Sequence, residues 1–131
     1  MKFRQLWIAV VLGIAALSCE TRTHSQTAPA GLQLSATKID FGEVAVDSGT
    51  PPQAITLNNP MKSNIAMEQI ITSGIDFSEK HDCGQTLAPG AQCTIQVFFK
   101  PAISGPRTGN LDVMGSDPAS PHFIALTGIG K

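Results

Sequence analysis

From Leu32 onward, apolar residues fall at every second position in short runs, and turn-forming residues separate the runs. Leu32 and Leu34 alternate with polar neighbours, Ile39 and Phe41 continue to Gly42, and Val44 and Val46 follow. Asp47-Ser48-Gly49-Thr50-Pro51-Pro52 is a dense break. Ile55 and Leu57 form the next run, stopped by Asn58-Asn59-Pro60. Ile65, Met67, Ile70 and Ile71 lead to Ser73-Gly74, and Ile75-Asp76-Phe77-Ser78 is a short extended piece. The strongest signal follows Pro89-Gly90, where Cys93, Ile95, Val97 and Phe99 face one way and Phe98 the other. Ser104-Gly105-Pro106 ends it. Leu111 with Val113 and Ile124 with Leu126 make the last two runs, parted by Ser116-Asp117-Pro118 and closed by Gly128-Ile129-Gly130. Period-two alternation marks half-buried antiparallel strands. About seven such strands, with no helical period between them, predict an all-β antiparallel sandwich of two sheets over residues 32–131.

The first thirty residues follow another pattern. Lys2 and Arg4 precede an unbroken apolar run, Leu6 to Leu17, which ends at Ser18 and Cys19. A basic start, a short apolar stretch and small residues at its end predict a secretory signal peptide over 1–18. The run is too short for a bilayer span, which needs about 20 apolar residues. Ala16-Leu17-Ser18-Cys19 resembles the lipobox of bacterial lipoproteins, and the resemblance implies lipid attachment at Cys19 as the first mature residue. Ala16 stands where that motif prefers Leu, and Ala16-x-Ser18 also suits an ordinary signal peptidase, which would leave Cys19 N-terminal with a free thiol. Residues 19–31, rich in Thr, Ser, Ala and Pro, read as a flexible tether.

Composition sharpens this picture in two places. The chain has three cysteines. If Cys19 is acylated, Cys83 and Cys93 remain as a pair in a compartment that permits disulfides. Their bridge would close a short loop holding Pro89-Gly90, pinning a turn between neighbouring strands and adding about 2–3 kcal/mol. Loss of the leader would remove Lys2 and Arg4, leaving seven basic against ten acidic residues and no basic run. Nucleic acids and anionic lipid surfaces both need a basic footprint, so neither is expected as a partner.

Candidate chemistry is sparse. His24 falls in the tether, His81 beside the expected bridge, where it reads as a solvated loop residue, and His122 at a strand entry after Pro121. His81-Asp82-Cys83 suggests a metal ligand set, but Cys83 has a better use in the bridge. Asp112 and Asp117 lack the spacing of a calcium loop. No catalytic, cofactor or metal site is expected, and the chain reads as a non-enzyme. Trp7 leaves with the leader and Tyr does not occur, so Phe41, Phe77, Phe98, Phe99 and Phe123 are expected mostly inside.

Six ordered stretches carry a family likeness: Ile39-Asp40-Phe41-Gly42-Glu43-Val44; Ile55-Thr56-Leu57-Asn58-Asn59; Asp76-Phe77-Ser78; Cys83-Gly84 through Cys93-Thr94-Ile95; Phe98-Phe99-Lys100-Pro101; and Leu126-Thr127-Gly128-x-Gly130. Together they resemble the ASPM–SPD-2–Hydin (ASH) family of immunoglobulin-like domains, whose exported bacterial members include "choice-of-anchor D" proteins. The resemblance implies an immunoglobulin-like sandwich, related to major sperm protein and pilus chaperones, that works by binding other proteins. This sequence departs from the family's tandem arrays in showing one copy behind a lipid-type anchor. The expectation is an envelope lipoprotein held in the periplasm or at the cell surface, binding a protein partner by strand-edge addition. Glu20, rather than Asp, after Cys19 favours the outer membrane. The alternative is an exported carbohydrate-binding module.

Overall fold

The computed structural model describes residues 31–131; the leader, Cys19, His24 and the tether up to residue 30 lie outside the described residues. The strands in chain order are β1 (Gln33–Leu34), β2 (Lys38–Val44), β3 (Gln53–Asn58), β4 (Ile65–Ser73), β5 (Phe77–His81), β6 (Thr86–Leu87), β7 (Gln92–Phe99), β8 (Gly105–Gly115) and β9 (His122–Gly130). No helix occurs among the described residues. A four-stranded sheet, β1-β3-β7-β5, faces a five-stranded one, β2-β9-β8-β4-β6. β1 and β6 are two residues long, too short to show a period, and they raise the count above the expected seven. All pairings are antiparallel except β2 with β9, because the chain crosses from one sheet to the other between β1 and β2 and joins β9 lengthwise.

Alternation builds the core directly. Ile55, Leu57, Ile95, Val97 and Phe99 from one sheet meet Leu111, Val113, Ile124 and Leu126 from the other, all without solvent exposure. Each such side chain contributes about 1.5–3 kcal/mol of burial. Phe99 lies between Phe77 and Phe41, with ring centroids 4.9 and 5.4 Å away. Room for that stack comes from β9, where a Cβ on Gly128 would run into the Phe99 ring.

Asp76 fastens one end of the sandwich. It sits buried in the β4–β5 turn, where its Oδ1 accepts the Ala102 N–H at 2.9 Å and its Oδ2 pairs with the Arg107 guanidinium on β8. Its carbonyl accepts the Lys100 N–H at 2.8 Å. The Ala102 amide, helped by Arg107, holds the Asp76 carboxyl below its ordinary value against the opposing effect of burial. The β7–β8 connection is thereby tied to the β4–β5 turn.

Candidate functional site

Cys83 and Cys93 are bonded to each other. The loop they close is not the simple turn expected. After β5 the chain leaves for the other sheet, pairs as β6 with β4, and returns as β7 beside β5. The bridge therefore pins a detour between sheets. Asp82 has a carboxylate oxygen within 4.8 Å of both sulfurs. That set is spent, because the sulfurs are bonded together and Asp82 Oδ1 accepts the Thr94 N–H at 2.7 Å. His81 Nδ1 donates to the Cys83 carbonyl at 3.1 Å, since a carbonyl can only accept.

His122 opens β9, at the strand entry expected for it. Its side chain is 12% exposed and its Nε2 bonds Asp117 Oδ2 at 2.8 Å. The same oxygen accepts the Leu32 N–H at 3.2 Å, so Asp117 ties the start of the domain to the β8–β9 turn. Gly31 lies so close that a Cβ there would strike the Asp117 carboxylate. Asp112 is elsewhere, on the outer face of the five-stranded sheet, with Ile71 opposite on β4 and Phe123 opposite on β9. Phe123 also departs from expectation. Its ring is 58% exposed, because Ile124 and Leu126 point inward and alternation turns Phe123 outward. Asp112 Oδ1 is buried between these neighbours with no partner among the described residues.

The edges of the sheets differ in what they offer. β1 and β6 are too short to template a strand, and β2 carries a register shift between Asp40 and Glu43 with Gly42 at φ 69°. β5 pairs with β7 in unbroken register. Asp82 N–H to Thr94 O and Lys100 N–H to Asp76 O show that even-numbered residues of β5 bond to β7. The odd-numbered ones point away. Phe77 is satisfied by the turn, through its N–H to Gly74 O and Thr72 Oγ1 to its carbonyl. Glu79 and His81 are left with free edge groups among the described residues. The Glu79 side chain turns inward, and its Oε2 is buried without a hydrogen-bond partner there. Beyond it opens a cleft of about 270 Å³ lined by Met67, Ile70, His81 and Cys83.

Two facing sheets with an alternating core and this strand order define an immunoglobulin-like β-sandwich. The chain belongs to the HYDIN/CFA65/VesB-like, Ig-like domain family, which matches residues 30–129, in agreement with the likeness carried by the six stretches. No curated protein matches the chain. Three solved structures show the same fold. A protein of unknown function from Porphyromonas gingivalis W83 is 16% identical with a TM-score of 0.67, over 76% of this chain and 46% of that one. The VesB protease of Vibrio cholerae is 15% identical with a TM-score of 0.64, over 76% of this chain and 32% of that one. The ASH/PapD-like domain of human CEP192 is 13% identical with a TM-score of 0.60, over 78% of this chain and 86% of that one. The chain thus spans less than half the length of the first two.

Proposed function

We propose that this chain is an exported, membrane-tethered binding module: Cys19 carries a lipid at the bacterial envelope, residues 19–31 act as a tether, and the immunoglobulin-like domain holds another protein. The observation that supports it best is the use made of the reactive side chains. His81 is bonded to a carbonyl, His122 to Asp117 and Cys83 to Cys93, so the groups a catalyst would need hold loops in place. The backbone of the β5 edge, by contrast, is open to a partner. The covered shares of VesB relate this fold to part of a protease and leave the remainder of that chain without a counterpart here. Glu20 after Cys19 favours the outer membrane. The test is expression of the full chain in a Gram-negative host. Intact mass of the membrane-extracted protein should show cleavage before Cys19, an acyl increment and the loss of both thiol hydrogens at the bridge. Cross-linking in the envelope should then recover a protein partner, and repeated failure to do so would sink the reading.

One observation favours a second reading, carbohydrate binding. The exposed Phe123 ring beside the Asp112 carboxylate offers a stacking face and a hydroxyl acceptor in one row. Glycan-array binding that disappears in Phe123→Ala would establish it.

A further inference from the structure

We infer that the free edge of β5 takes an antiparallel extended segment of a partner protein bearing an apolar, an acidic and a basic side chain in that order from its N-terminal side, the basic one against Glu79. The inference rests on the binding-module reading above. Its ground is the register: Glu79 and His81 present outward N–H and C=O groups, so an added strand would form its hydrogen-bonded pairs with these two residues. In such pairs the side chains of both strands lie on the same face. The partner residue opposite Glu79 therefore points inward, where the buried Oε2 has no partner among the described residues. A carboxylate oxygen withheld from water and unpaired is costly, and a charge-assisted bond from Lys or Arg removes that cost. The partner residue before it in sequence points outward beside exposed Lys80, where an acidic side chain is favoured. The one before that lies opposite His81, at a cleft where Met67, Ile70 and Cys83 offer apolar contact between Glu68, Gln69 and Gln85, a place for an apolar side chain. A second copy of this chain does not fit, because antiparallel self-pairing centred on Glu79 or on Lys80 sets like charges opposite each other.

The probes are two short synthetic Thr-rich peptides, one with a central Val-Glu-Arg and an isomer with Val-Arg-Glu, added at millimolar concentration to the full chain. The Val-Glu-Arg peptide should slow amide exchange at Glu79 and His81 about tenfold, and the isomer should not. Glu79→Gln should weaken this protection. His81→Pro removes an outward N–H that β7 does not use, together with the Nδ1 bond to the Cys83 carbonyl, so it should abolish binding while its thermal unfolding stays close to that of His81→Ala, which loses the same side-chain bond and keeps the N–H. Absence of protection at these two amides, equal protection by both peptides, or binding retained in His81→Pro would each overturn the inference. Envelope cross-linking with the parent and His81→Pro separates the two levels. A partner recovered equally by both would overturn the β5 site and leave the binding module standing; a partner recovered by neither would overturn the module itself.

Discussion

Replacing Asp76 by Asn tests the clamp that ties the β7–β8 connection to the β4–β5 turn. The amide oxygen can still accept the Ala102 N–H, so the perturbation is confined to the pair with Arg107. A hydrogen bond to a charged group is worth about 1.5–3 kcal/mol. Asp76 is 3% exposed at its side chain but Arg107 is 22%, so water partly compensates the cation and the cost falls toward the lower end. The expected loss is about 2 kcal/mol at neutral pH, or about 8–16 °C in Tm for a domain of this size. The pH dependence carries the sharper test. The folded carboxyl titrates below its ordinary value of 3.8, so its contribution is fully present above that pH and is lost as pH falls through the folded value. Melting curves of parent and Asp76→Asn should therefore stay apart by a constant amount from about pH 7 to about 5 and converge below about 3.8. A difference that persists undiminished into strong acid, or no difference at pH 7, would show that the carboxylate is not what holds the turn.

Three further outcomes follow from the same geometry. Reducing the Cys83–Cys93 bridge, which spans a sequence separation of 10, should cost about 2.5–3 kcal/mol. Thermal melts of the parent should shift down with reductant, and those of the Cys83→Ser/Cys93→Ser variant should not respond. Gly128→Ala forces a methyl group into the Phe99 ring and should cost about 1–3 kcal/mol in denaturant titration; unchanged stability would mean that the ring moves aside freely. Lys80→Pro deletes a bond to Gln96 in β7 and should destabilise by about 1–3 kcal/mol, unlike His81→Pro, whose N–H faces outward. A larger loss for His81→Pro than for Lys80→Pro would place the β5 register one residue away from the one described.

Much of the sandwich was legible because alternation is local. In β7 the inward set Cys93, Ile95, Val97 and Phe99, with Phe98 opposite, is the pattern the sequence displays. What escaped depends on partners distant in the chain. The parallel pairing of β2 with β9 joins Ile39 to Leu126, and no local period signals it. Leu87 in β6 is a single apolar residue whose exchange of sheets is decided by tertiary pairing with Ile65. Asp76 and Asp117 look like ordinary turn residues, and only folding brings Arg107 and His122 to them. Phe123 is a different case, since the inward Ile124 and Leu126 already placed it outside. In β9 the alternation prevails over the general preference of aromatic rings for burial.

Strand order also decides how an anchored domain can present its open edge. The polypeptide enters the four-stranded sheet at β1, and β5 lies at the opposite border, with β3 and β7 between them. Three inter-strand steps of about 4.8 Å put the two borders about 14 Å apart. The proposed attachment, through residues before Gly31, would hold the domain at the border that carries β1, where Asp117 grips the Leu32 amide. The border that carries Glu79 and His81 stays clear of that attachment. The charges on Glu79 and Lys80 also guard an open edge against unspecific pairing, as edge charges do in other sheets. Screening for a partner and protection from self-association therefore come from the same two residues. Neutralising both, as in Glu79→Thr/Lys80→Thr, should leave the fold intact and raise concentration-dependent association in sedimentation velocity. A variant that stays monomeric at high concentration would show that some other feature guards this edge.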